Sequence, residues 1–223
     1  SYNYMKLFTI GHSNHSIETF IELLLEHNVT ALADVRSHPY SRYLPHFNRV
    51  QLKNSLKSAK INYVFLGQEL GARPKNQECY IDGKAIYEKI AATELFAEGI
   101  KRVIKGLKNY RVALMCAEKD PIVCHRAILV CQHLRNERDL EINHIKSNGD
   151  LESHYKLEDR LLARHGLNQL ALVAASVQLS LFADNSQNHQ PSKPLSREES
   201  IKEAYRLQSD EVAYVEKIGN EYE

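Results

Sequence analysis

The apolar positions of the chain fall into two recurring patterns: short, nearly unbroken runs of strand length, and sets spaced three and four residues apart. Residues 5–10 form such a run and end in the polar turn Gly11-His12-Ser13-Asn14-His15. Ser16 then caps a helix in which Ile17, Phe20, Ile21, Leu24 and Leu25 share one face, so that helix is expected to lie on a sheet. The alternation repeats. Residues 29–35 read as a second strand ending at Asp34-Val35-Arg36, and Pro39 and Pro45 exclude regular structure from the loop behind it. Residues 48–60 read as helix and 61–66 as a third strand, after which Gly67, Glu69 and Gly71 mark another strand-end loop. Phe96, Ile100, Val103, Ile104 and Leu107 predict a helix over 93–107, followed by a strand over 111–116. Asp120-Pro121 has the form of an N-cap with proline at the first helical position, launching a helix over 122–134. A strand over 140–146, a turn at Ser147-Asn148-Gly149 and a helix over 151–164 follow.

Strand and helix in alternation imply parallel pairing, so the expected fold is α/β: a Rossmann-like or flavodoxin-like, mostly parallel sheet flanked by helices. At 223 residues and 43% hydrophobic content the chain can bury one substantial core with an appendage. The expected division is an α/β domain over 1–182, a linker over 183–195 and a C-terminal amphipathic helix over 196–223. The linker holds almost nothing to bury and cannot offset the entropy of being ordered. Ser196-Arg197-Glu198-Glu199 has the form of a capping box, with Ile201, Ala204, Tyr205, Val212 and Val215 on one side of the helix it starts. No apolar run approaches the ~20 residues that cross a bilayer, and residues 1–7 lack a secretory pattern. The expectation is a cytoplasmic protein with no membrane partner. Four clustered cysteines, Cys79, Cys116, Cys124 and Cys131, are too few for a disulfide framework, and reduced thiols are expected.

In an open parallel sheet, ligands bind beyond the carboxyl ends of the strands, and the chemically distinctive residues fall there. Gly11, His12 and Ser13 follow the first strand, Asp34 and Arg36 the second, and Cys116 and Glu118 the fourth. Thr9-Ile10-Gly11-His12-Ser13, Asp34-Val35-Arg36 with Pro39 and Ser41, and Cys116-Ala117-Glu118 leading to Cys124-His125-Arg126 resemble the ordered signature blocks of the bacterial family called domain of unknown function 488 (DUF488). His144-Ile145 and His154 resemble its last block. The resemblance spans about residues 5–160 and carries over no activity.

The residues themselves permit more. A thiol at a strand end facing a helix N-terminus sits near unpaired N–H groups that favour thiolate. Cys116 and Cys124 are therefore candidate catalytic thiols, Glu118 and His125 candidate acids or bases, and Arg126 a candidate clamp for phosphate or carboxylate. The block resembles the cysteine loop of rhodanese and cysteine-phosphatase folds only loosely, and the Cys-x5-Arg spacing is absent. Two other readings stay open. Cys116, Cys124 and His125 can ligate zinc or iron, although no cofactor is predicted from so short a spacing, or the thiols can simply pack, as Cys131 does in its apolar helix. Gly11, His12, Ser13, Asp34, Arg36 and Arg42 are candidate anion-binding residues, against capping for His12 and Ser13 and mutual pairing for Asp34 and Arg36. His144 and His154 are more often satisfied core or surface histidines than ligands.

Residues 36–60 carry three Arg and three Lys with no Asp or Glu. With Tyr40, Tyr43 and Phe47 among them, they offer phosphate contacts and stacking faces to nucleic acid, or else form a solvated face. Gln178-Leu179-Ser180-Leu181-Phe182 matches all five positions of the peptide by which bacterial polymerases and repair proteins bind the DNA sliding clamp. In it Gln178 addresses a pocket rim, Leu179 completes the pattern, and Leu181 and Phe182 are adjacent apolar anchors. The competing reading makes these residues the end of a core element continuing from Leu170-Ala171-Leu172-Val173. The reading adopted is an uncharacterised DNA-maintenance protein, an enzyme on nucleic acid or a nucleotide, of the cysteine-dependent hydrolase, lyase or transferase class, recruited by the clamp. A non-catalytic clamp-binding or metal-binding regulatory module and a small-molecule thiol enzyme are the alternatives.

Overall fold

A computed structural model describes residues 4–182 and 195–217. The elements are β1 (Met5–Gly11), α1 (Ile17–Glu26), β2 (Ala31–Asp34), α2 (Arg49–Ser58), β3 (Asn62–Phe65), α3 (Gly67–Leu70), β4 (Tyr80–Ile81), β5 (Lys84–Ala85), α4 (Tyr87–Ala91), α5 (Glu94–Leu107) and β6 (Val112–Cys116). After them come α6 (Gln132–Leu134), β7 (Leu140–Ile145), β8 (Leu151–Ser153), α7 (His154–Arg164), α8 (Gln169–Phe182) and α9 (Arg197–Val212). The main sheet runs β3-β2-β6-β1-β7-β8; every pairing is parallel except the antiparallel β7–β8. This is the mostly parallel, Rossmann-like α/β architecture expected, with β6 lying between β1 and β2.

The central strands are apolar on both sides, as a doubly covered parallel sheet requires. Phe8, Leu32 and Met115 face α1 and α2 through Phe20, Leu24, Leu52 and Leu56. Leu7, Ala33 and Leu114 face the other layer, where Phe96 and Val103 of α5 and Leu161 of α7 pack. Ser16 accepts from Thr19 N and caps α1. Ser196 and Glu199 form the complete capping box of α9. No described helix is long and apolar enough to cross a membrane.

Four local expectations are corrected. The helix over 122–134 is instead a 3-10 turn at Pro121–Val123, an extended Cys124, a π-helix at Arg126–Cys131 and the short α6. The first residues of 151–164 form β8, whose three residues are too short to carry a pattern, and Ser153 caps the helix that follows. Phe47 is fully buried between His12 and Phe20, not offered for stacking. Val215 has left the terminal helix and forms a β-bridge with Lys84. The linker assigned to 183–195 lies, but for Leu195, outside the described residues.

α9 packs back onto the domain. Ile201, Ala204, Tyr205 and Gln208 are buried, and Gln208 donates to the Ile122 carbonyl at 2.8 Å. Beyond it, Ala85 N donates to Tyr214 O, so the end of the described chain is tied to the β4–β5 hairpin.

Candidate functional site

Connections from β1 and β6 leave in opposite directions: α1 carries the chain from β1 across β6 to β2, and the π-helix and α6 carry it from β6 across β1 to β7. A crevice opens where such connections diverge. Its two lips are stitched by backbone, His12 N donating to Cys116 O at 2.8 Å and Ser13 N to Ala117 O at 2.9 Å. Glycine is required at position 11, because a Cβ there would overlap the Glu118 carbonyl.

At the bottom of the crevice the Cys116 Sγ, Cys124 Sγ and a His125 ring nitrogen all lie within 4.8 Å of one another, and all three residues are buried. Cys116 Sγ is 3.6 Å from His125 Nδ1. His125 Nε2 donates to the Val35 carbonyl at 2.9 Å, which fixes the ring and aims Nδ1 at the sulfurs. The Cys124 thiol donates to Glu118 Oε2 at 3.0 Å. The extended backbone at Cys124 and the widened turn after His125 let two consecutive residues address the same point, which a continuous α-helix would turn about 100° apart.

The two thiols are pushed in opposite directions by their surroundings. Burial would raise the Cys124 thiol, but its contact with Cys116, the Arg126 guanidinium charge and His125 together hold it well below the usual thiol range. Cys124 in turn, then burial, pushes Cys116 well above that range. For His125, burial is overcome by Cys124 and Glu118, and its pKa is raised. Burial first and Cys124 second raise the Glu118 carboxyl.

Above this cluster lies a cleft of ≈ 300 Å³, with Cys116, Glu118 and His125 at its base and Arg36, His38, Tyr40, Arg73, Tyr87 and Tyr214 among its walls. Of the expected anion-binding residues, Arg36 lines it. Its guanidinium is largely spent: Nε and Nη2 donate to Asp34 at 3.0 and 2.8 Å, and Nη2 also to Phe47 O. Asp34 is fully buried and accepts further from Tyr63 OH at 2.7 Å. His12 stacks on Phe47 and lies 3.5 Å from Arg36 Nη1. Burial lowers its pKa to about 4, so it is neutral. His12, Ser13, Asp34 and the solvent-exposed Arg42 do not line the cleft. Arg126 is corrected from anion clamp to loop brace, because it is fully buried and donates to Thr9 Oγ1 and to the carbonyls of Glu118 and Lys119. Glu69 turns away to Arg102.

Arg73, Tyr87 and Tyr214 were not singled out from the sequence. Arg73 stands two residues after Gly71, whose strand-end position was the available signal. Tyr214, on which Arg73 stacks at 4.4 Å, comes from 141 positions further along and had none. His144 and His154 join a buried chain: Thr9 Oγ1 to His144 Nδ1 at 2.7 Å, His144 Nε2 to His154 Nδ1 at 2.9 Å, and His154 Nε2 to Tyr205 OH at 2.7 Å. They are satisfied core histidines. Residues 178–182 are the last turn of α8, with Gln178 exposed and Leu181 75% exposed. Leu170, upstream in the same helix, is 84% exposed, so α8 does not continue the core.

The family described as Domain of unknown function DUF488 matches residues 16–132. No curated protein and no solved structure matches the chain.

Proposed function

The chain belongs to the DUF488 family, and we propose that this member is an enzyme of DNA maintenance that acts on nucleic acid or a nucleotide at the β1–β6 crevice. The observation that carries the reading is a buried sulfur–imidazole cluster at the base of a cleft with cationic and aromatic walls. Arg73 supplies the positive charge, its guanidinium stacked on the ring of Tyr214. Tyr40, 73% exposed at the cleft mouth, supplies a stacking face. Outside the cleft Arg42, Tyr43, Arg49 and Lys53 are exposed along the loop and the outer face of α2, a path for a phosphate backbone. Cys116, Cys124, His125 and Glu118 form the reactive centre, Arg126 positions the loop bearing Glu118, and residues 178–182 deliver the enzyme to the sliding clamp.

Binding of a fluorescently labelled single-stranded oligonucleotide at low salt tests this reading. Affinity should fall steeply with added salt, and Arg73→Glu should weaken binding about tenfold or more. Equal binding by wild type and Arg73→Glu, or binding indifferent to salt, overturns it.

A further inference from the structure

The three donors at the base of the crevice have a spacing that hydrogen bonding alone does not demand. Zinc bound by thiolate at about 2.3 Å and by imidazole at about 2.0–2.1 Å, with tetrahedral angles, sets sulfur and nitrogen roughly 3.6 Å apart. Cys116 Sγ and His125 Nδ1 are 3.6 Å apart. The Cys124 sulfur closes the triangle, all three atoms lying within 4.8 Å of one another. A ligating histidine characteristically donates its other ring N–H to a carbonyl or carboxylate. His125 does so, to Val35 O at 2.9 Å. Among the described residues this is the single group of three or more Cys, His, Asp or Glu side chains whose donor atoms converge in this way.

We infer that Cys116, Cys124 and His125 are a three-ligand zinc site whose fourth position faces the cleft, with the Glu118 carboxyl beside it. On binding, the protons held by the two sulfurs and by His125 Nδ1 pass to solvent while two zinc–sulfur bonds and one zinc–nitrogen bond form, with no change of oxidation state. The ion's double positive charge balances two thiolates in a place too dry to hold them alone. Three protein ligands and one open position are the arrangement of catalytic zinc, whereas structural zinc takes four. Glu118 reaches the cluster yet remains on the cleft wall, where a carboxylate can take a proton from metal-bound water. The inference rests on the proposed reading of the crevice as a reaction site and names the group that reacts there.

The full chain, expressed and purified without chelator, should contain about one equivalent of zinc by elemental analysis. After the metal is stripped, cobalt(II) should restore sulfur-to-cobalt charge-transfer absorption and the intense visible bands of a tetrahedral site. Both should be lost in Cys124→Ser and retained in Cys79→Ser, whose thiol lies apart in the turn before β4. Should Cys124→Ser not fold, wild-type protein serves: iodoacetamide should label Cys116 and Cys124 only after the metal is stripped, as read by mass spectrometry. A wild-type chain that takes up neither ion, or one whose cobalt spectrum survives Cys124→Ser, overturns the inference. If metal is absent but oligonucleotide binding still depends on Arg73, the zinc site alone has failed. If metal binds and the oligonucleotide does not, the substrate reading alone has failed.

Discussion

Three histidines are held neutral inside the protein, and the hydrogen bonds of two of them fix their protons. Arg126 Nε can only donate, so Thr9 Oγ1 accepts from it and gives its own hydrogen to His144 Nδ1. His144 then donates from Nε2 to His154 Nδ1, His154 donates from Nε2 to Tyr205, and Tyr205 donates to Glu158 at 3.2 Å. Every hydrogen in the chain is used once, and a further proton on either ring would meet another donor. Burial, the leading cause, pulls His154 down to about 3 and His144 well below the usual imidazole range, as it pulls His12 to about 4. Because these pKa values lie below that of an unfolded histidine, stability is full above about pH 6.5 and falls as the pH drops from there towards 4, where the unfolded chain binds protons the native state refuses. At pH 5 the cost is roughly 2 kcal/mol each for His12 and His154. Urea denaturation at pH 7 and pH 5 should therefore give a clearly lower midpoint at pH 5, and coincident curves would mean that the rings are protonated without penalty. That His144 and His154 are satisfied histidines, in the core or at the surface, could be read from the sequence. Their connection through Tyr205 could not, since it joins positions 51 apart whose residue types show no pairing preference.

At the level of elements, the strands that build the crevice were legible because they are buried on both faces. Residues 5–10, 29–35 and 111–116 are largely apolar runs, and β1, β2 and β6 fall on them, whereas β7 was legible from Leu140, Ile142 and Ile145 among polar residues. The convergence of Gly11, Cys116 and Glu118 was legible from the rule that ligands sit beyond strand ends. The π-helix was hidden, because widening a helix by one residue per turn leaves the apolar spacing of Ile128, Leu129 and Leu134 nearly unchanged. The carbonyl of Val35 that orients His125 was hidden too, since any residue supplies one. α9 was read as an appendage because its charged face dominates its composition, and only the buried Tyr205 and Gln208 reveal the tie. Tyr205 is that tie's polar centre, accepting from His154 and donating to Glu158, which also pairs with Arg135 at 2.6 Å. Tyr205→Phe keeps the ring and leaves a buried imidazole N–H and a carboxylate each short of a partner, a loss of about 1–3 kcal/mol. Denaturant titration at constant slope should report it, and a change under about 0.5 kcal/mol would show that water replaces the hydroxyl.

For the molecule as a whole, the proposal sets a reaction crevice on one rim of the sheet and a delivery peptide in a helix that leaves the core. The proposed clamp peptide would seat two consecutive residues in one cleft, yet consecutive positions on a helical backbone are turned about 100° apart. Seating both in one cleft therefore requires the last turn of α8 to unwind. That turn can do so cheaply, because terminal turns have few hydrogen bonds to lose and Gln178 and Leu181 are exposed. Recruitment should consequently be separable from folding. Gln178→Ala combined with Leu181→Asp should weaken binding to a purified bacterial sliding clamp tenfold or more by calorimetry. The same variant should leave the thermal midpoint and the Arg73-dependent oligonucleotide affinity where they were, since exposed polar and apolar side chains typically contribute within about 0.5 kcal/mol. Undiminished clamp binding would remove the tether from the proposal. A lowered thermal midpoint would mean that the last turn of α8 supports the domain and is not free to unwind onto a partner.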